Sequence, residues 1–288
     1  MLRLILVLCV LALPVRAETL RLATWNIAWL TQKPAGHRDL PSNVIARSPG
    51  DFALLAGYAA RLAADVVALQ EIDGEAAAAR VFPPSAWVIH LTDERDVQRP
   101  GFAIRRGLRV TPNPDLAGLD LVPHARFSLR RGADITIEAG GTQLRLLSVH
   151  LKAGCRDGPL RPPRDPDCDG LSRQVPEIAG WIAARVREGV AFAVLGDFNR
   201  RMERAEDLTG ALAEAAPMTR VTAGQSSPCW ASGDGRGRPF IDHIFLGGPA
   251  RDWLVPGSLR VLVYGERDPA FRDRLSDHCP VSVRLALP

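Results

Sequence analysis

The chain has 288 residues, 47% of them hydrophobic and 24% charged, with a formal net charge of +4. This is enough apolar material for the core of one large domain and too much for a disordered chain, while the charge is too mild to mark a nucleic-acid binder by itself. No stretch beyond the N-terminus approaches the roughly 20 apolar residues that a membrane-spanning helix needs.

Met1 to Ala17 predicts a cleaved secretory leader: Arg3, an apolar run from Leu4 to Leu13, then Val15-Arg16-Ala17 before Glu18. The domain proper is then 18–288, and losing Arg3 and Arg16 lowers the charge from +4 to +2. Export brings the chain into an oxidising compartment, so Cys155, Cys168, Cys229 and Cys279 are expected as disulfides, with Cys9 leaving in the leader. Four cysteines permit three pairings, of which Cys155 with Cys168 is favoured because they bracket a single loop rich in Pro and Asp, leaving Cys229 for Cys279. A monomer without membrane insertion is expected.

Ten β-rich runs follow: Leu20 to Ile27, Val66 to Gln70, Trp87 to Leu91, Phe102 to Ile104, Ile135 to Glu138, Leu144 to His150, Ala191 to Gly196, Phe240 to Leu246, Leu259 to Tyr264 and Val281 to Leu285. Between them, helical spacing predicts a helix over Asp51 to Ala64 and another over Ser172 to Glu188, the second capped by Ser172 with Pro176 in its first turn. Uneven connections and a Gly140-Gly141 hairpin turn argue against a simple alternating parallel sheet. The fold class expected is α/β: two packed mixed sheets with helices outside.

Ionisable residues recur at the ends of these strands. Trp25-Asn26, Gln70-Glu71, Ser148 and His150, Gly196-Asp197-Phe198-Asn199, Asp242-His243 and Ser276-Asp277-His278 each follow or close an apolar run. Isolated carboxylates are costly to bury, so these should converge on one site. A single strand-ending Asn or Asp is more often a turn residue than a ligand, and only the set carries weight. His37, His90, His124 and His243 are read as structural, since His243 should face away from Asp242 by strand parity.

In this order the set resembles the endonuclease/exonuclease/phosphatase superfamily, which includes deoxyribonuclease I, over almost the whole chain from Leu20 to Val283. The resemblance implies a four-layer α/β sandwich and a divalent-metal-dependent phosphoester hydrolase. Glu71 would bind Mg²⁺ or Mn²⁺ with Asn26 and Asp277 completing the site, since oxygen ligands suit hard cations. Asp197 and Asn199 would position the attacking water, and Asp242 would orient His278. The resemblance leaves the general base open between Asp197 and His278. His150 would serve the scissile phosphate or leaving oxygen, with Lys152 and Arg126 gripping phosphate. Where deoxyribonuclease I supports this histidine with a glutamate, the present chain has Gln98, which cannot raise the ring pKa as a carboxylate does.

A nuclease acting on DNA or RNA is the first expectation for substrate, because arginines cluster in Arg99 to Arg109, Arg156 to Arg164, Arg200 to Arg204 and Arg236 to Arg238. A phosphatase or phosphodiesterase on small or lipid substrates is the alternative, and a non-catalytic binding domain a minor one.

Overall fold

The computed structural model describes residues 18–123, 125, 128–203, 206–231 and 236–288. Arg126, His124 and residues 1–17, the segment expected to be a leader, lie outside the described residues. In chain order the strands are β1 (Thr19–Leu30), β2 (Val66–Ile72), β3 (Trp87–Leu91), β4 (Arg99–Arg105), β5 (Arg109–Pro112), β6 (Ala133–Ala139), β7 (Thr142–His150), β8 (Ala191–Asp197) and β9 (Met218–Arg220). A short ribbon, β10 (Ser226–Ser227) and β11 (Arg238–Pro239), precedes β12 (Asp242–Gly247), β13 (Arg260–Val261) and β14 (Val281–Ala286). The helices are α1 (Pro49–Leu62), α2 (Glu75–Ala78), α3 (Pro166–Glu188), α4 (Glu206–Ala215) and α5 (Ala270–Arg274).

The strands form two six-stranded mixed sheets, ordered β13-β14-β1-β2-β4-β3 and β5-β6-β7-β8-β12-β9. Each has one parallel pair near its centre, β1 with β2 and β7 with β8. Alternation along the strands divides the apolar residues among three layers. Leu22, Ala68 and Phe102 of one sheet pack with Leu146, Leu195 and Ile244 of the other. The opposite face of the first sheet (Trp25, Val67, Leu69) packs on Phe52, Leu55 and Ala59 of α1. The outer face of the second (Val149, Phe192, Val194) packs on Ile178 and Ile182 of α3 and Leu208 and Leu212 of α4. The result is the four-layer sandwich expected.

Two expected elements differ. The helix expected from Ser172 starts at Pro166, capped by the Asp165 carboxylate, which accepts the Cys168 N–H at 2.8 Å. Pro176 therefore sits mid-helix, on the exposed side where water can serve the freed carbonyl. The strand expected over Leu259 to Tyr264 pairs only at Arg260–Val261, after which the chain departs to bring the Tyr264 hydroxyl to the Trp25 indole at 3.0 Å.

Both disulfides form as expected, Cys155–Cys168 and Cys229–Cys279. The first ties the opening turn of α3 to the loop after β7. Closing loops of these lengths stabilises a fold by about 2 to 4 kcal/mol each. Protein freed of residues 1–17 should show no thiol by colorimetric titration until it is reduced, and finding two or more free thiols in the folded chain would rule this pairing out.

Candidate active site

Side-chain parity places the polar residues. The face that packs apolar residues between the sheets turns polar at one end of the sandwich. Leu20 and Leu22 are followed on that face by Thr24 and Asn26, Val66 and Ala68 by Gln70, Leu144 and Leu146 by Ser148 and His150, and Leu195 by Asp197. β12 runs the other way, so its first residue, Asp242, stands opposite Asp197. Gln70 and Ser148 bridge the sheets beneath the cleft, the amide donating to the hydroxyl at 3.0 Å and the hydroxyl to the Leu69 carbonyl at 3.1 Å.

Glu71 breaks the alternation, since a period of two would aim it toward α1. Instead its φ is 62°, and the register of β2 against β4 shifts between Leu69 and Ile72. That bulge turns Glu71 back to the cleft, where Oε1 accepts from Asn26 Nδ2 at 2.9 Å and Oε2 from the Trp29 N–H at 2.9 Å. Ala28, Trp29 and Asn199 are also left-handed, at 36°, 54° and 53°. Among the described residues, four of the six non-glycine ones with positive φ thus surround this cleft, and such conformations persist only where surrounding contacts hold them. Gly196 contributes differently: a Cβ there would meet the Val149 carbonyl oxygen at 2.0 Å, so only glycine lets β8 lie against β7 and set Asp197 beside His150.

Asp197 is the hub. Its Oδ1 accepts the Asn199 N–H at 2.7 Å, and its Oδ2 accepts Asn26 Nδ2 at 3.0 Å. The same Oδ2 lies 3.7 Å from Nε2 of both His150 and His278. Burial, reinforced by Asp242 and opposed by His278, pushes its pKa up to about 7. His278 Nδ1 bonds both Asp242 oxygens, at 2.8 and 3.0 Å. Burial alone would lower that ring, but Asp242 and Asp197 together hold it well above the usual histidine range. Ligand atoms of Asp197, Asp242 and His278 lie within 4.8 Å of one another, a group that could hold a cation.

His150 differs from His278. Burial and the guanidinium of Arg130, whose Nη2 lies 3.3 Å from His150 Nε2, hold it well below the usual range. Nδ1 has no hydrogen-bond partner, and the nearby Gln98 backbone favours the charged ring too weakly to offset this. The Gln98 side chain makes no bond to it among those observed.

The structure gathers Asn26, Glu71, His150, Asp197, Asn199, Asp242, Asp277 and His278 at this end of the sandwich. Most of these line a cleft of about 470 Å³. Asp277 is the outlying member, its side chain 46% exposed and its Oδ1 3.8 Å from His278 Nε2. Lys152 lines the cleft, yet its ammonium group is held by Asp167 and by the Ala153 carbonyl at 2.7 Å. His243 faces away as expected, between Thr222 Oγ1 at 2.6 Å and the Arg200 carbonyl at 3.1 Å.

Two residues at the cleft escaped the sequence reading. Arg130 precedes β6 and carried no motif. Arg47 is half-buried beside the cleft, next to Ala28 and Trp29 of its lining, and donates to five carbonyls: Arg274 at 2.9 Å, Trp29, Ile27 and Leu275 at 2.8, 2.8 and 2.8 Å, and Ala28 at 2.6 Å. It clamps the left-handed turn after Asn26 to the segment that leads into Asp277 and His278. Burial pulls its pKa down to about 10, which leaves it charged at neutral pH. Because it acts only on backbone carbonyls, no pattern of side chains betrays it.

A four-layer sandwich with carboxylates and imidazoles meeting at one end of its inner faces is the architecture of phosphoester hydrolases and nucleases. The model of the Endonuclease/Exonuclease/phosphatase family matches residues 23–278, and the chain belongs to that family. Family enzymes use divalent metals. No curated protein matches the chain. Among solved structures, humanized TDP2 of D. rerio is similar at 18% identity and a TM-score of 0.59, covering 92% of this chain and 98% of that one. The human Nocturnin catalytic domain with bound sulfate anion is similar at 14% identity and 0.61, covering 95% of each. D. rerio TDP2 complexed with single strand DNA product is similar at 17% identity and 0.58, covering 93% and 98%. These likenesses are of fold.

Proposed function

We propose that the protein is an exported, Mg²⁺- or Mn²⁺-dependent phosphodiesterase whose substrate is nucleic acid. The observation that carries this reading is the meeting of Glu71 and Asp197 on the Asn26 amide, beside the Asp242–His278 pair. The donor set fits a hard divalent cation: Glu71, Asp277 and the Asn26 oxygen offer oxygen ligands, and the crowded carboxylates favour a positive partner. Once bound, the ion polarises a phosphate oxygen and lowers the charge the site must carry.

Every other step belongs to the protein. Asp197 and Asn199 hold the attacking water, and Asp197 accepts its proton, because the charged His278 has Nδ1 committed to Asp242 and no lone pair to offer. His278 donates from Nε2 toward phosphate. The ring of His150 is neutral beside Arg130, so in place of the donation to the leaving oxygen expected of His150, Arg130 is the cation that faces the charge on that flank, and the leaving oxygen takes its proton from solvent. Lys152 keeps the phosphate-gripping role only by exchanging Asp167 for substrate, and Arg126 retains its proposed one.

Nucleic acid is supported by the arginine-bearing loops and by a family fold that, in D. rerio TDP2, has been solved with a single-stranded DNA product. Export is supported by the leader-like Met1 to Ala17 and by two disulfides, which suit an extracellular or periplasmic setting. Among the described residues no helix is long and apolar enough to cross a membrane.

Plasmid DNA, RNA, sphingomyelin and inositol phosphates, incubated side by side with Mg²⁺, Mn²⁺ or excess chelator, test the reading. Cleavage of DNA or RNA that chelator abolishes is the expected result. Cleavage confined to the lipid or inositol substrates transfers the site to the small-substrate class, and activity undiminished by chelator removes the metal from it.

A further inference from the structure

A second cavity, of about 300 Å³, opens on the far side of His278 and Asp277. It shares those two residues, Ile241 and Arg156 with the cleft, so the two spaces adjoin across the catalytic pair. Its outer wall is the β10–β11 ribbon, which lies outside the strand-end segments and carries Arg238 of the Arg236 to Arg238 cluster. The Cys229–Cys279 bridge pins that wall to the residue after His278, and Pro239 and Phe240 give it an apolar face.

Charge sets the chemistry of this space. Four guanidinium groups line it, against the carboxylates of Asp242 and Asp277. Asp242 is committed to His278, and Asp277 lies 3.8 Å from Arg272 Nη2. Arg201 is held by Asp157 at 3.0 Å. Arg156 and Arg238 make no ion pair among the described residues, which leaves two guanidinium forks to meet an arriving anion. Guanidinium binds phosphate through paired, charge-assisted hydrogen bonds. The volume matches the lower end of ligand pockets, about 300 to 1,000 Å³, and so suits one nucleotide unit better than a duplex.

We propose that this cavity is a second phosphate subsite, in which Arg156 and Arg238 hold the phosphate one nucleotide away from the scissile one. The intervening sugar and base lie against Phe240, Pro239 and the Cys229–Cys279 bridge. The inference rests on the phosphodiesterase reading and narrows its substrate to chains that carry a second phosphate beside the one cleaved. Arg156, which lines both spaces, makes the subsite continuous with the cleft.

The test uses thymidine bearing a para-nitrophenyl phosphate on one hydroxyl, with and without a second phosphate on the other, in both orientations. For one orientation the second phosphate should raise kcat/KM by about tenfold or more, chiefly through KM, as expected for a charge-assisted contact. In the Arg156→Gln/Arg238→Gln variant that ratio should fall to near one. Taking the ratio within each protein cancels any loss that the substitutions cause in the cleft itself. A wild-type ratio near one in both orientations, or a variant that keeps the wild-type ratio, overturns the subsite. Should wild type cleave none of the four compounds, the hydrolase reading stands or falls on plasmid DNA and RNA, while calorimetric binding by itself decides the subsite. Preference for thymidine bisphosphate over both monophosphates, lost in the double variant, supports it; equal affinity overturns it.

Discussion

Replacing Glu71 by Gln should lower kcat/KM on any cleaved phosphodiester by about three orders of magnitude, since a bound divalent ion supplies several kcal/mol of transition-state stabilisation and each 1.4 kcal/mol is tenfold. Two effects combine. The substitution removes the charge that would hold the cation. It also upsets the hydrogen bonds, because Asn26 Nδ2 donates to Glu71 Oε1 while the Trp29 N–H donates to Oε2. A glutamine can accept only one of the two and sets its own amide against the other. The fold should tolerate this, as the layers that carry it are apolar and Glu71 belongs to none of them, so a melting temperature within a few degrees of wild type is expected. Mn²⁺ affinity, read by titration calorimetry, should fall with activity. A variant that keeps full activity at limiting metal would remove Glu71 from the metal site.

Much of this site was legible before the structure, from ionisable residues recurring at strand ends and from their order along the chain. Asn26, His150, Asp197 and Asp242 lie on the inter-sheet face of strands whose other residues are core, so the pattern that forms the sheets also aims these side chains. Glu71 was legible only as a motif residue, because its orientation depends on a left-handed φ and a bulge that alternation alone cannot show. Arg47 and Arg130 were silent for related reasons. One acts through backbone carbonyls contributed by two distant segments, and the other reaches His150 from a loop. The start of α3 was misread because Pro176 looked like a first-turn residue. Asp165, which takes the capping role expected of Ser172, lies seven residues before that serine, and the Cys155–Cys168 bridge secures the turn between them.

The pairing of Asp242 with His278 predicts that their losses will not add. His278 lies in a buried setting that by itself disfavours the imidazolium, and Asp242 is the largest of the groups that reverse this. In Asp242→Asn the ring can still donate from Nδ1 to an amide oxygen, but the charge that stabilised its protonated form is gone. In His278→Ala the carboxylate of Asp242 is left beside an empty space with nothing to act through. Each single variant should therefore lose about a thousandfold in kcat/KM, and the double variant should lose no more than a fewfold beyond the worse of them, as for residues that work as one unit. The measurement is kcat/KM for wild type and the three variants on one chromogenic phosphodiester at saturating metal. If the double variant loses the product of the two single effects, Asp242 and His278 act independently. If Asp242→Asn alone stays near wild type while His278→Ala is dead, the ring needs no charge from Asp242, and the proton inventory that assigns water's proton to Asp197 has to be redrawn with a neutral His278 as its acceptor.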